Sequence, residues 1–261
     1  MGSLREMWAS GQSTLGAWLS LREPYLAEAA GNAGYDYVCI DMQHGLADYQ
    51  DVTGLLHALA GTPTVPIVRV PWNEQGIIGR VLDAGAMGVI IPMVNSPEEA
   101  RRAVAACRYA PDGARSFGPL VAAARHGADY ASTANETVAC IPMIETRQAV
   151  ETVDDILAVP GIDAVYVGPA DLSLTYGLPP AGDNPGEPFD GALATVVAAC
   201  ERHGVVPGIH ASPSLTAKRL ESGFRMVTVT NDAAPAVQGL RSALTEARQQ
   251  TQVDSGSSSP Y

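Results

Sequence analysis

Residues 35–45 read YDYVCIDMQHG, a short apolar run that breaks off into Asp41, Gln43 and His44. The run does not alternate with polar residues, which is typical of a strand buried on both faces, as in parallel sheets. Because the strand ends in an acid and an imidazole, it places titratable groups at its C-terminal tip. Active sites lie at that tip in barrels of alternating strands and helices. The stretch therefore predicts a parallel sheet, and in a barrel other strands would bring matching chemistry to the same rim.

Seven more extended apolar runs occur along the chain, with helical segments between them. The eight predicted strands are 15–21, 35–41, 66–70, 88–93, 139–145, 164–168, 205–210 and 226–230. The predicted helices lie near 23–33, 48–60, 74–84, 146–158, 189–203, 213–223 and 233–248, and another opens at Ser96 with an N-cap, a proline and two acids. Eight β-then-α units predict an α/β protein with a closed (β/α)8 TIM barrel rather than an open doubly wound sheet.

The barrel is predicted to form one domain over residues 1–248. The connection at 111–136 is longer than usual, and we expect it to carry a helix that covers the barrel or contacts a neighbouring subunit. Residues 249–261, which include SGSSSP, are predicted to form a disordered tail. Neither a dinucleotide-binding nor a P-loop glycine motif occurs in the sequence.

The composition fits a globular enzyme and argues against several partners. The chain is 46% hydrophobic and 17% charged, and its net charge is −12, which disfavours nucleic acid because phosphate binding needs a positive face. No apolar stretch reaches membrane-spanning length, and the N-terminus has no signal-peptide pattern. The four cysteines lack CxxC spacing, so we expect buried, reduced thiols in a cytoplasmic protein and no structural zinc site.

The ends of the predicted strands collect polar and aromatic side chains. They are Trp18, Asp41, Gln43, His44, Arg69, Glu145, Asp171 and His210. Each alone fits an ordinary structural role, such as a helix cap, a surface histidine or a structural ion pair. Together they bring acids, a histidine and an arginine from different strands to one rim, which indicates an active site.

Glu145 and Asp171 form the candidate metal site of this rim. Glu145 ends the fifth predicted strand and Asp171 follows the sixth, and neighbouring strands lie about 4.8 Å apart. Two oxygen ligands with no Cys or His beside them favour a hard octahedral ion such as Mg²⁺ or Mn²⁺. A 2-oxo acid can chelate such an ion through its carboxylate and keto oxygens, and the ion would stabilise the enolate as a Lewis acid.

The lysine content separates two kinds of aldol chemistry. The chain contains one lysine, Lys218, on a predicted amphipathic helix where we expect it to face solvent. Schiff-base catalysis needs a lysine inside the barrel, so the sequence favours a metal-stabilised enolate. The ends of strands seven and eight also lack the glycine-rich pattern of many phosphate sites, which favours a carboxylate substrate over a phosphorylated one.

The sequence resembles the HpcH/HpaI family of metal-dependent pyruvate aldolases, which includes 4-hydroxy-2-oxoheptanedioate aldolase. The matching stretches, in family order, are GAWLSL, YDYVCIDMQHG, VPIVRVPWN, VLDAGAMGVIIPMV, IPMIET and VYVGPADLSLTYG. The resemblance implies reversible retro-aldol cleavage of a 4-hydroxy-2-oxo acid to pyruvate and an aldehyde, with Mg²⁺, Mn²⁺ or Co²⁺ as cofactor. It also implies a homohexamer, a dimer of trimers, whose last helix exchanges with or packs on a neighbouring subunit.

The resemblance also assigns roles to individual residues. The implied catalytic residues are His44, Arg69, Asp41 and Asp83, the metal ligands Glu145 and Asp171, and the substrate-binding residues Trp18, Gln43, Gly168, Ala170 and His210. His44 would act as general base, directly or through a water molecule on the ion, and Arg69 would stabilise the keto oxygen and the enolate. One of the two catalytic aspartates would orient the histidine across a subunit contact. Backbone amides near Gly168 would hold the pyruvate carboxylate.

Three residues depart from the family pattern. Gln43 stands where many members have Glu, which removes a negative charge beside the histidine, Met143 stands where some have a polar residue, and His210 stands where an aliphatic residue is common. We expect the last two to alter which aldehyde is accepted. Two other functions stay open at this point: a related oxaloacetate decarboxylase or other carbon–carbon lyase that uses the same enolate, and a non-catalytic 2-oxo-acid-binding protein.

Overall fold

The computed structural model describes residues 2–127 and 129–255, with side chains to residue 250. Its centre is one parallel sheet of eight strands. The strands are β1 (Thr14–Leu19), β2 (Tyr37–Asp41), β3 (Val65–Arg69), β4 (Gly88–Ile91), β5 (Ala139–Pro142), β6 (Ala164–Val167), β7 (Val206–His210) and β8 (Met226–Asn231). They lie side by side in the order β5, β4, β3, β2, β1, β8, β7, β6. A parallel bridge between Met143 and Tyr166 joins the two end strands, so the sheet closes into the predicted (β/α)8 barrel.

Helices follow the strands around the barrel. They are α1 (Leu4–Ala9), α2 (Pro24–Asn32), α3 (Tyr49–Leu59), α4 (Gln75–Asp83), α5 (Pro97–Cys107), α6 (Leu120–His126), α7 (Tyr130–Thr137), α8 (Arg147–Glu151), α9 (Val153–Leu157), α10 (Pro169–Thr175), α11 (Phe189–His203), α12 (Thr216–Glu221) and α13 (Ala233–Ser255). The long connection at 111–136 carries α6 and α7, and the helix predicted at 146–158 is interrupted at Thr152. The sequence-based prediction lacked α1 and α10. Both have start signals: Ser3 and Glu6 form a capping box at the start of α1, and Gly168-Pro169 opens α10.

Side chains of the strands alternate between the barrel interior and the layer under the helices. In β2, Tyr37 and Cys39 belong to the interior cluster, whereas Val38 and Ile40 pack under the helices. Because both layers are buried, the strand is apolar without interruption. Gly16 of β1 leaves room for the ring of Tyr37, since a Cβ there would lie 2.1 Å from it.

The N-terminal end of the barrel is closed by α1. Leu4 and Trp8 are buried and join the interior cluster, and Trp8 Nε1 donates a hydrogen bond to Thr14 Oγ1 at 3.0 Å. The end of the barrel left for a pocket is therefore the C-terminal rim, where the predicted site residues lie.

The last helix, α13, stands apart from the barrel. Every residue from 234 to 250 is exposed, including the apolar Val237, Leu240 and Leu244, and Leu240 is 75% exposed. An apolar groove of about 520 Å³, lined by β1, α2 and the start of α13, lies beside it. The helix continues to Ser255, past the predicted domain limit at 248; residues 256–261 of the predicted tail lie outside the described residues.

The cysteines and the lysine occupy the positions expected from the sequence. All four cysteines are free and buried. Lys218 lies on α12, is partly exposed, and pairs with Asp183 at 2.8 Å rather than entering the barrel. Over the part of the chain that the structure describes, every helix is too short or too polar to cross a bilayer.

Candidate active site

Asp41 organises one side of the rim. It is the last residue of β2 and is paired in register with Arg69, the last residue of β3. Arg69 donates from Nε to Asp41 Oδ1 at 2.8 Å and from Nη2 to Oδ2 at 2.6 Å, and Trp18 Nε1 donates to Oδ2 at 3.2 Å. Burial alone would raise the pKa of Asp41, but the bonds and charge of Arg69 outweigh burial and hold the pKa below its ordinary value. Asp41 is therefore an ionised anchor for Arg69 and Trp18.

The same carboxylate shapes the loop that carries His44. Asp41 Oδ1 accepts the backbone N–H groups of Gln43 at 3.0 Å and His44 at 3.3 Å. Gly45 completes the turn, because a Cβ at this position would lie 2.2 Å from the carbonyl oxygen of Asp41. The DMQHG sequence thus folds back on its own acid and leaves the His44 side chain exposed at the pocket.

Glu145 is the second buried acid of the rim. Its side chain follows β5 and the residue is only 2% exposed. Oε1 accepts the backbone N–H of Met93 at 2.8 Å, and Met93 adopts a left-handed φ of 56°, which is uncommon for a residue with a side chain and is enriched at functional sites. Burial raises the pKa of Glu145 to about 7; the Met93 bond and the charge of Arg69 oppose this rise, and Asp171 adds to it.

Gly168 allows the start of α10 to lie close to the Glu145 carboxylate. A Cβ on Gly168 would lie 2.5 Å from Glu145 Oε2, so a side chain there would displace the carboxylate. Asp171 lies in the first turn of α10, and its negative charge contributes to the raised pKa of Glu145. Within the described chain, no group of three or more His, Cys, Asp or Glu side chains is arranged to hold an ion. The chain therefore offers two neighbouring carboxylates here rather than a complete cage, and their role as metal ligands stays a prediction.

A pocket of about 250 Å³ opens between these groups. It is lined by Trp18, His44, Arg69, Met143, Tyr166, Gly168, Pro169, Ala170, Asp171, Gly182 and His210. The structure therefore brings together most of the residues expected at the site. Tyr166 was not among them, although the alternation of AVYV in β6 places its ring inside the barrel.

His210 and Tyr166 form the wall on the side of β7. The His210 ring lies edge-on to Trp18 with centroids 5.1 Å apart, and Tyr166 stacks on Trp18 at 5.5 Å. His210 Nδ1 is 3.2 Å from the Tyr166 hydroxyl. Burial, with a smaller contribution from the charge of Arg69, lowers the pKa of His210 to about 4, so this imidazole is neutral at physiological pH.

Four predicted residues do not line this pocket. Two of them, Asp41 and Glu145, lie against residues that do: Asp41 binds Arg69, and Glu145 lies beside Gly168. The other two are Gln43 and Asp83. The Oε1 atom of Gln43 is buried without a hydrogen-bond partner among the described residues. Asp83 ends α4, near the start of β4 and hence at the opposite end of the barrel, and it accepts a hydrogen bond from Arg115 at 2.7 Å. Within one chain, Asp83 is part of an ion pair and not of the rim, so its expected role depends on a second subunit.

The fold and the rim define a class of protein. At the C-terminal end of this (β/α)8 barrel, Asp171, Arg69 and His44 line one pocket, and this end is where enzymes of the fold carry their active sites. The chain belongs to the HpcH/HpaI aldolase/citrate lyase family, whose sequence profile matches residues 14–238. By this membership it is a carbon–carbon lyase.

Individual relatives agree over nearly the whole chain. The hydroxypyruvate/pyruvate aldolase of Rhizorhabdus wittichii is 39% identical over 249 residues, which is 95% of this chain and 99% of the relative. The 4-hydroxy-2-oxo-heptane-1,7-dioate aldolase of Salmonella dublin is 38% identical, with 91% of each chain covered. A crystal structure of an HpcH/HpaI aldolase/citrate lyase family protein from Burkholderia cenocepacia superposes with a TM-score of 0.88 at 38% identity, covering 95% of this chain and all of the other.

Proposed function

We propose that the protein is a divalent-metal-dependent aldolase that cleaves a 4-hydroxy-2-oxo acid reversibly into an aldehyde and a 2-oxo acid of the pyruvate type. The observation that carries this proposal is Glu145, a buried acid that is repelled by the charge of Asp171 and has no ion-pair partner among the described residues. Aldolase-named relatives over more than nine-tenths of the chain support the reaction type. Four free buried thiols favour the cytoplasm as its location.

Glu145 and Asp171 fit a hard divalent ion. The charge of Asp171 adds to the rise in the pKa of Glu145, and a cation between the two carboxylates would relieve this repulsion. Oε2 of Glu145, which packs against Gly168, has no hydrogen-bond donor among the described residues. Oxygen-only ligation and vacant positions for substrate and water suit Mg²⁺, Mn²⁺ or Co²⁺. A bound ion would supply Lewis acidity at the keto oxygen of the substrate.

The remaining side chains can perform the proton and charge steps. In the cleavage direction, His44 takes the proton of the C4 hydroxyl, the C3–C4 bond breaks, and its electron pair moves toward the C2 keto group to give an aldehyde and an enolate. Arg69 uses Nε and Nη2 to hold Asp41, and its Nη1 has no partner among the described residues. This group can therefore donate to the oxygen that gains negative charge. Return of a proton to C3 releases the 2-oxo acid.

The test compares the wild type with Glu145→Gln, assayed with pyruvate and a panel of aldehydes, with and without a chelator. Exchange of deuterium into the pyruvate methyl group reports enolisation separately from aldol addition. Both activities are expected to need the ion and to be lost in Glu145→Gln, while Glu201→Gln, which changes an exposed acid on α11, retains them. A Glu145→Gln enzyme that still cleaves substrate after chelation would refute the assignment.

The same assay separates the other two functions. Release of CO₂ from oxaloacetate with no addition to any aldehyde would identify a decarboxylase. Metal-dependent binding of pyruvate without methyl exchange would identify a non-catalytic binding protein. Either result would replace the aldolase proposal.

We also propose that α13 packs on a second copy of the chain in a homohexamer. The helix exposes Val237, Leu240 and Leu244, and the apolar groove beside it would receive such a stripe. In such an assembly Asp83 of one subunit would be available to His44 of another. Leu240→Glu is expected to lower the mass measured by light scattering, with Glu201→Gln as control; a monomeric wild type would contradict this assembly.

A further inference from the structure

A chain of hydroxyl groups runs through the barrel to His210. Tyr37 and Thr228 are hydrogen-bonded at 2.9 Å, and the Tyr166 hydroxyl donates to Thr228 Oγ1 at 2.5 Å. The same Tyr166 oxygen lies 3.2 Å from His210 Nδ1. The two tyrosines and the threonine are at most 1% exposed, so they exchange hydrogen bonds with one another rather than with bulk water.

The proton count of this chain fixes the tautomer of His210. A tyrosine hydroxyl has one proton, and Tyr166 gives it to Thr228. The bond between Tyr166 and His210 therefore needs a proton on Nδ1, which makes the histidine the donor. Because the buried imidazole is neutral, Nε2 carries a lone pair and no proton.

Nε2 is the polar atom that His210 offers to a ligand. This atom has no hydrogen-bond partner among the described residues, and it is not fully buried. Because His210 lines the pocket, a ligand there can reach it. The edge-on contact with Trp18 and the bond to Tyr166 hold the ring in one orientation. The site therefore has a fixed, uncharged acceptor that requires a donor from the ligand.

We propose that His210 Nε2 accepts a hydrogen bond from a hydroxyl group in the aldehyde half of the substrate, so that the enzyme selects 2-hydroxyaldehydes over their deoxy analogues. The candidate ligands of the divalent ion are Glu145, which follows β5, and Asp171, which lies on α10 after β6, whereas His210 ends the next strand around the barrel, β7. The inference rests on the proposed aldolase function. A pocket that hydrogen-bonds a substrate hydroxyl discriminates strongly against an analogue without it, because the protein group is then left unpaired.

The experiment measures kcat/KM for addition of pyruvate to glycolaldehyde and to acetaldehyde, which differ by one hydroxyl. The wild type should favour glycolaldehyde roughly tenfold or more, and His210→Phe, which keeps an aromatic ring but has no acceptor, should bring the ratio close to one. Tyr166→Phe should reduce the ratio as well, because Nδ1 loses its acceptor and the tautomer is released. His57→Phe, on α3, is the control and should leave the ratio unchanged.

Ring ¹⁵N resonances of the wild-type protein supply a readout that does not depend on turnover. They should show His210 protonated on Nδ1 alone, and protonation on Nε2 would overturn the proposal. An active wild type with equal preference for the two aldehydes, or a preference that appears only when hydroxypyruvate replaces pyruvate as the donor, would also overturn it and leave the aldolase function standing. A wild type that adds pyruvate to neither aldehyde would remove both.

Discussion

Replacing Glu145 by glutamine should stabilise the metal-free protein at neutral and alkaline pH. In the unfolded chain this acid ionises near its ordinary pKa of 4.5, whereas burial raises the pKa to about 7 in the folded protein. The folded state therefore binds the proton more tightly, and stability falls as pH rises through this window. The difference corresponds to about 3 kcal/mol above pH 7. Glutamine keeps the shape of the side chain but carries no charge, so the free energy of unfolding of the variant does not fall with pH in this way.

The measurement is urea unfolding in the presence of a chelator at pH 5 and pH 8. The stability difference between Glu145→Gln and wild type should grow with pH in favour of the variant, while Glu201→Gln, at an exposed acid, should follow the wild type at both pH values. Adding Mg²⁺ at pH 8 should stabilise the wild type by roughly 2 to 3 kcal/mol at a hundredfold excess over Kd, and should do little for the variant. Superimposable wild-type and variant profiles would refute the claim that this carboxyl is buried without a counter-charge.

Three further outcomes follow from the rim. Asp41→Ala leaves the guanidinium of Arg69 buried without its partner and should lower the free energy of unfolding by about 3 to 5 kcal/mol in urea titrations; a loss below 1 kcal/mol would show that water replaces the acid. Gly168→Ala places a methyl group 2.5 Å from Glu145 Oε2 and should lower kcat/KM at least about tenfold with a nearly unchanged melting temperature. Chelation should lower the melting temperature of the wild type at pH 8, and Mg²⁺ should restore it; an unchanged temperature would count against the metal.

The fold was predictable because its signal is repeated. Eight apolar runs separated by helical segments leave few architectures, and errors of one to three residues at strand ends do not change the topology. The two missed helices were short, although the Ser3–Glu6 capping box and the Gly168-Pro169 start were visible in the sequence. The position of α13 could not be predicted from the sequence. Periodicity indicates a helix with an apolar face, but it does not show which chain covers that face.

The residues of the site were predictable as a set but not in their roles. Strand ends of a parallel barrel meet at one rim, so Asp41, Arg69, Glu145 and His210 could be grouped from sequence alone. Their ionisation depends on contacts between strands: one acid is held ionised by an arginine on the neighbouring strand, and the other retains its proton to about pH 7 because it is buried. The hydrogen-bond chain through Tyr166 joins residues that are far apart in sequence, so no local sequence pattern predicts it.

The charges of Asp41, Arg69, Glu145 and Asp171 do not balance, and the described side chains do not supply the missing positive charge. Two of the three guanidinium nitrogens of Arg69 donate to Asp41, at 2.6 and 2.8 Å. The pair therefore has almost no net charge, and its electrostatic effect on Glu145 is weak. Lys218 is held by Asp183 outside the barrel, and it is the sole lysine. Glu145 and Asp171 are thus left with a net negative charge beside a pocket that must accept an anionic 2-oxo acid. Like charges in a desolvated pocket repel strongly, so a cation at these carboxylates would favour binding of the anion. In the proposed function, the divalent ion would therefore support substrate binding as well as bond cleavage.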